Sequence, residues 1–71
     1  MNATASQLLE DIALAQAQES WRFAAGRVRD RWAQFLAADG PARATTFAAY
    51  LAALDREAEA AEELSAIAGR A

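Results

Sequence analysis

The chain contains no cysteine and no histidine. Without cysteine, neither a disulfide nor a thiolate metal site can stabilise its 71 residues, a length at which one hydrophobic core is marginal alone. Without histidine, the commonest general base and the commonest nitrogen ligand are missing. Lysine is absent too: all seven basic residues are arginine. With alanine at about a third of the chain, this reads as the codon bias of a GC-rich genome. No run approaches the roughly 18–20 apolar residues that span a bilayer. Met1-Asn2-Ala3-Thr4 lacks the basic start and apolar run of a secretory signal. The net charge of −3 is modest and argues against nucleic acid as a partner. The expectation is a soluble protein of a bacterial cytoplasm that engages neither membrane nor nucleic acid.

Glycine and proline are also scarce, and that makes one punctuation mark stand out. Asp39-Gly40-Pro41 interrupts two long runs rich in Ala, Leu, Glu, Arg and Gln. Such a break reads as a turn between antiparallel helices. The fold class expected is all-α: a single helical-hairpin domain over 1–71, with a helix at about 4–38, a turn at 39–44 and a helix at about 45–68. Thr4 and Gln7 fit a capping box, with Glu10 and Asp11 complementing the positive helix end. Gly26 marks a close contact or a bend. Gly40 supplies the left-handed stop, Pro41 blocks continuation, Thr45 caps the second helix and Gly69 ends it.

The apolar residues fall on stripes. Leu14, Trp21, Ala25, Val28, Trp32 and Phe35 share one face of the first helix. Phe47, Tyr50, Leu51, Leu54, Ala58, Ala61, Leu64 and Ala68 share one face of the second. Folding at Gly40 places Phe35 near Phe47, Trp32 near Leu51, Val28 near Leu54, Ala25 near Ala58 and Trp21 near Ala61. Large side chains then meet small ones, as close packing requires. The hairpin core expected is therefore Leu14, Trp21, Val28, Trp32, Phe35, Phe47, Tyr50, Leu51, Leu54 and Leu64. The two tryptophans suit a core or an interface, and core fits their spacing better. The same fold brings Arg22, Arg27 and Arg29 alongside Asp55, Glu57, Glu59, Glu62 and Glu63. Each exposed pair is worth only about 0–1 kcal/mol, but the pattern favours this register.

Leu8, Leu9, Ile12 and Phe23 are left over. They lie on the far side of the first helix, and the first three project past the end of the second. Burying one such side chain is worth about 1.5–3 kcal/mol, so a bare stripe of four calls for cover. A partner chain binding at these four residues is one solution. Another is an N-terminal segment that breaks off as a short extra helix and folds back.

No chemistry emerges. Di-iron bundles use inward Glu with Glu-x-x-His, and the His is missing, so the many carboxylates read as a solvated face and no metal is expected. Ser6, Ser20 and Ser65 have no candidate base. The three glycines are too dispersed for a phosphate loop. In the basic segment Arg22 to Trp32, Arg27 and Arg31 point one way and Arg22 and Arg29 another, which reads as surface rather than a nucleic-acid face. Catalytic, cofactor and metal residues are thus all expected to be none.

A long helix, a Gly-containing turn and a second helix opening with aromatics three apart, Phe47 and Tyr50, form a pattern with a known counterpart. It continues with small and aliphatic residues such as Ala61 and Leu64 and closes on Ile67-Ala68-Gly69. This pattern, over roughly Ala38 to Gly69, resembles the small co-chaperone, the "E" component, of type III secretion needle subunits. The first half matches only as a long amphipathic helix, richer in Ala and Trp than that family. The resemblance implies a cytoplasmic co-chaperone that stabilises a helical-repeat partner, which in turn holds the needle subunit. Two alternatives stand beside it: a self-dimerising four-helix-bundle regulator or adaptor, and a small phage-type inhibitor presenting acidic groups.

Overall fold

The computed structural model describes residues 2–70, with side chains from Thr4 onward. Met1, where the reading for a secretory signal begins, lies outside the described residues. Two helices, α1 (Asn2–Ala37) and α2 (Ala42–Arg70), form an antiparallel hairpin. Its Cα atoms span 61 × 14 × 11 Å, so it is a rod two helices wide. The all-α hairpin expected from the sequence is what forms.

The turn works as the Gly-Pro pair implies. Gly40 has φ 55°, the left-handed conformation that only glycine adopts cheaply. The carbonyls of Asp39 and Gly40 accept hydrogen bonds from the N–H groups of Ala42 and Arg43 at 3.2 and 3.1 Å. These bonds start α2 at Ala42, earlier than residue 45. Pro41 sits just before that first helical residue, where its missing N–H costs nothing. Thr45 is therefore inside α2 and is not its cap. The hydroxyl of Thr46 donates back to the Ala42 and Arg43 carbonyls, 2.8 and 3.1 Å away, a bond available only within a formed helix. Arg43 closes the other side of the turn. Its guanidinium donates to the Ala38 carbonyl at 3.3 Å and lies 4.5 Å from the centre of the Phe35 ring. A cation thereby meets the negative end of α1.

Three other boundary expectations fail for local reasons. α1 is already helical at Asn2, so Thr4 lies within it. Glu10 and Asp11 fall beyond the first turn, where the helix dipole is felt. α2 runs through Gly69 to Arg70, because a glycine without positive φ continues a helix, and Arg70 complements its C-terminal end. Gly26 makes no close helix contact: a Cβ there would meet only the tip of Arg29, at 3.9 Å.

The seam between the helices follows a heptad. In α1, Leu14, Trp21, Val28 and Phe35 occupy a positions, and Ala17, Ala24, Arg31 and Ala38 occupy d. In α2 the a positions are Tyr50, Glu57 and Leu64, and the d positions are Thr46, Ala53, Ala60 and Ile67. All of these except Trp21 are buried or half-buried. The most deeply buried are alanines: Ala17, Ala24 and Ala53, at 5, 8 and 4% exposure. Small side chains at such positions permit close approach of packed helices, whose axes usually lie roughly 8–10 Å apart.

Rings lock the register near the turn. Trp32 stacks on Phe35 (5.4 Å between centroids) and on Tyr50 (5.0 Å). Phe47 contacts Phe35 (5.3 Å) and Tyr50 (6.2 Å), closing a four-ring cycle. The expected Phe35–Phe47 pair is present. Trp32 also meets Tyr50, the residue next to Leu51. Rings here face rings, whereas further along Val28 comes within one residue of the level of Ala53 and Trp21 of Ala60, so large side chains meet small ones away from the turn.

Candidate interaction surfaces

The hairpin leaves three surfaces open, and the heptad places each. The first is the stripe of Leu8, Leu9, Ile12 and Phe23, which are 59, 67, 46 and 68% exposed. They fall at b, c and f positions, opposite the seam, as the sequence implies. Their overhang is shorter than expected. The Phe35–Phe47 and Trp32–Tyr50 pairs set Ile12 level with Arg70, and Gln7, Glu10, Asp11, Ala13 and Leu14 line a small cleft with Ile67 and Arg70. Ile12 is thus bare because it faces away, and only Leu8 and Leu9 lie past α2. The segment does not fold back: α1 is one continuous helix from Asn2.

The second surface is a groove along one side of the seam, at the g and c positions. Alanines 24, 49, 52, 53 and 60 floor it, and Arg27, Arg31, Arg56, Glu59 and Glu63 rim it. Phe23 stands at its edge with the Arg27 guanidinium 5.9 Å from its ring centre. Arg31 donates to the Gln34 side-chain oxygen at 2.9 Å. The expected ion pairing of α1 arginines with α2 acids is not made. Among the described residues, the one salt bridge is Arg22 to Glu19, 2.8 Å and within α1. Asp55 and Glu62 lie at f positions facing away from α1, and Glu57 at the seam and Glu59 and Glu63 on the groove rim form no salt bridge with it.

The third surface is the opposite side of the seam, at the e and b positions. Ala25, Trp32 and Leu36 of α1 and Phe47, Leu51, Leu54, Ala58 and Ala61 of α2 occupy these positions. Trp32, Leu36, Phe47 and Leu51 are exposed, as is Trp21 beside them. This corrects the expected core. Leu14, Val28, Phe35, Tyr50, Leu54 and Leu64 are half-buried, but Trp21, Trp32, Phe47 and Leu51 are exposed. The sequence stripe is centred on a and e in both helices. Two helices alone bury a and d. The apolar stripe is consequently rotated out of the seam, and the alanines at d, which carry no strong hydrophobic signal, occupy the centre.

Among the described residues, no group of three or more acidic side chains is arranged to hold a metal ion. No helix among them is long and apolar enough to cross a membrane. Comparison with protein-family models, curated proteins and solved structures finds no match.

Proposed function

We propose that this chain is a non-enzymatic helical interaction module, and that it acts as a co-chaperone stabilising a helical-repeat partner, which holds a type III secretion needle subunit. The observation that carries the first part is the mismatch between core and surface. Among the described residues the buried centre consists of three alanines, while nine large apolar side chains between Leu8 and Leu51 are exposed. Alanine burial contributes little of the roughly 25 cal/mol per Å² that drives folding. Exposed Leu, Ile, Phe and Trp hold the remainder until a second chain covers them. The co-chaperone assignment rests on the resemblance from Ala38 to Gly69 together with the Leu8, Leu9, Ile12 and Phe23 stripe. That stripe lies on the outer face of α1, where a concave helical-repeat surface accepts an amphipathic helix at i, i+4 anchors.

The action is physical. The hairpin lends apolar surface to the partner, the partner's groove sequesters the needle subunit's helix, and polymerisation before export is prevented. The test is co-expression with a tetratricopeptide-like protein and a needle subunit, which this reading expects to be encoded beside this chain. A stable ternary complex is expected, lost in Leu8→Asp with Ile12→Asp. A genome without such neighbours, or a complex indifferent to these changes, refutes the assignment.

A further inference from the structure

Of the three open surfaces, the flank at the e and b positions has the strongest drive to be covered. The groove opposite it is rimmed by five charged side chains, whose desolvation opposes docking. The flank is aromatic and aliphatic where it is most exposed. Its pattern is informative as well. A helix apolar at a and d alone suits a two-stranded seam, whereas apolar a, d and e positions suit the interior of a bundle. Both helices add apolar e positions on the same side of the hairpin, Ala25 and Trp32 on α1 and Phe47, Leu54 and Ala61 on α2.

We propose that this flank is covered by the same flank of a second copy of the chain, giving an antiparallel four-helix bundle with a two-fold axis parallel to the hairpin's long axis. Two observations bear on the occupant, and charge is the one that selects a second copy. The first, which shows that the rod lacks cover, is area. The chain exposes 5361 Å², whereas a folded monomer of 7.6 kDa is expected to expose about 4,300 Å². The excess of roughly 1,000 Å² is close to the ~800 Å² that each partner buries in a standard interface. The second is charge. Arg22 and Arg29 border the flank at b positions on α1, and Asp55 and Glu62 border it at f positions on α2. The ring contacts set Arg22 level with Ala60 and Arg29 level with Ala53. The two-fold keeps these levels while laying α1 of one copy over α2 of the other. Arg29 then faces Asp55 of the second copy, and Arg22 faces its Glu62, across the small rim residues Ala58 and Ser65. Every neighbouring pair of helices is antiparallel, and Trp32, Leu36, Phe47 and Leu51 become interior. The Leu8 stripe stays outside, free for another protein, so this inference does not rest on the co-chaperone assignment.

Light scattering after size exclusion on the whole chain tests it. The expected mass is twice 7.6 kDa. Leu36→Asp with Leu51→Asp is expected to weaken association by about 100-fold, as loss of central anchors does. Both positions are exposed in the hairpin, so far-ultraviolet circular dichroism at high concentration should remain helical. Arg29→Glu is expected to weaken the dimer about tenfold, and adding Asp55→Arg to restore it. Leu8→Asp with Ile12→Asp should leave the mass unchanged. A monomeric wild type overturns the proposal, as does a dimer that survives Leu36→Asp with Leu51→Asp. So does a dimer lost through the Leu8 stripe instead, and failure of Asp55→Arg to rescue Arg29→Glu overturns the register. A ternary complex that does not form with the wild type, or that survives Leu8→Asp with Ile12→Asp, while the dimer is intact would refute the functional assignment alone.

Discussion

Replacing Ala53 by leucine tests whether alanine sets the spacing of the hairpin. Ala53 is the least exposed of the described residues at 4%, and it sits at a d position level with Arg29. Leucine adds three carbons where the facing layer is Val28 and Arg31. The helices cannot part locally, because the four-ring cycle holds them on one side of this layer and Leu64 and Ile67 pack on the other. The added volume must therefore be taken up as off-rotamer strain or a bent helix, at about 1–3 kcal/mol. For a domain of this size that is a fall in Tm of roughly 5–20 °C. Ala48→Leu is the control. Ala48 is exposed at an f position of the same helix, and leucine there keeps the helix propensity, so its effect should stay within about 0.5 kcal/mol. Thermal melts followed at 222 nm, at one chain concentration, compare the three proteins. An Ala53→Leu variant as stable as wild type would show that the seam opens freely and that alanine does not fix it.

The two internal glycines should respond to alanine with opposite signs. Gly26→Ala is expected to stabilise by about 1 kcal/mol, since the new Cβ meets only Arg29 at 3.9 Å and a helix-interior glycine is relieved. Gly40→Ala should destabilise by about 1–2 kcal/mol, because φ 55° disfavours any Cβ even though nothing lies near it. Urea titrations give both values, and a stabilising Gly40→Ala would contradict the turn geometry. Arg43→Ala loses both the Ala38 carbonyl contact and the stacking on Phe35. It should cost about 0.5–1.5 kcal/mol, with Arg43→Lys intermediate, read as a shift in urea midpoint.

The hairpin was legible because its cause is local. Gly40 with Pro41 can do little else between two helix-forming runs, and the register follows from where the chain turns. The exposed stripe of Leu8, Leu9, Ile12 and Phe23 was legible for the same reason, since these residues lie too far around α1 for one partner helix to reach. The seam was misread because hydrophobicity and burial diverge in this chain. The apolar stripe runs through Trp32, Phe47, Leu51 and Leu54, whereas two close helices bury Ala17, Ala24 and Ala53. Alanine carries little hydrophobic signal, and its importance here is its size. The expected ion pairs also failed: Asp55 and Glu62 lie at f positions facing away from α1, and Arg22 pairs with Glu19 of its own helix instead. The start of α2 at Ala42 depended on the Asp39 and Gly40 carbonyls, which no side-chain pattern announces.

The central claim is that this hairpin is incomplete alone and gains stability from association. The most direct measurement is Tm as a function of chain concentration, followed by circular dichroism. Between about 5 and 500 µM, a folded dimer in equilibrium with unfolded chains should gain roughly 5–10 °C. A Tm that stays constant across that range, with a single cooperative transition, would mean that one hairpin is sufficient and would contradict the account.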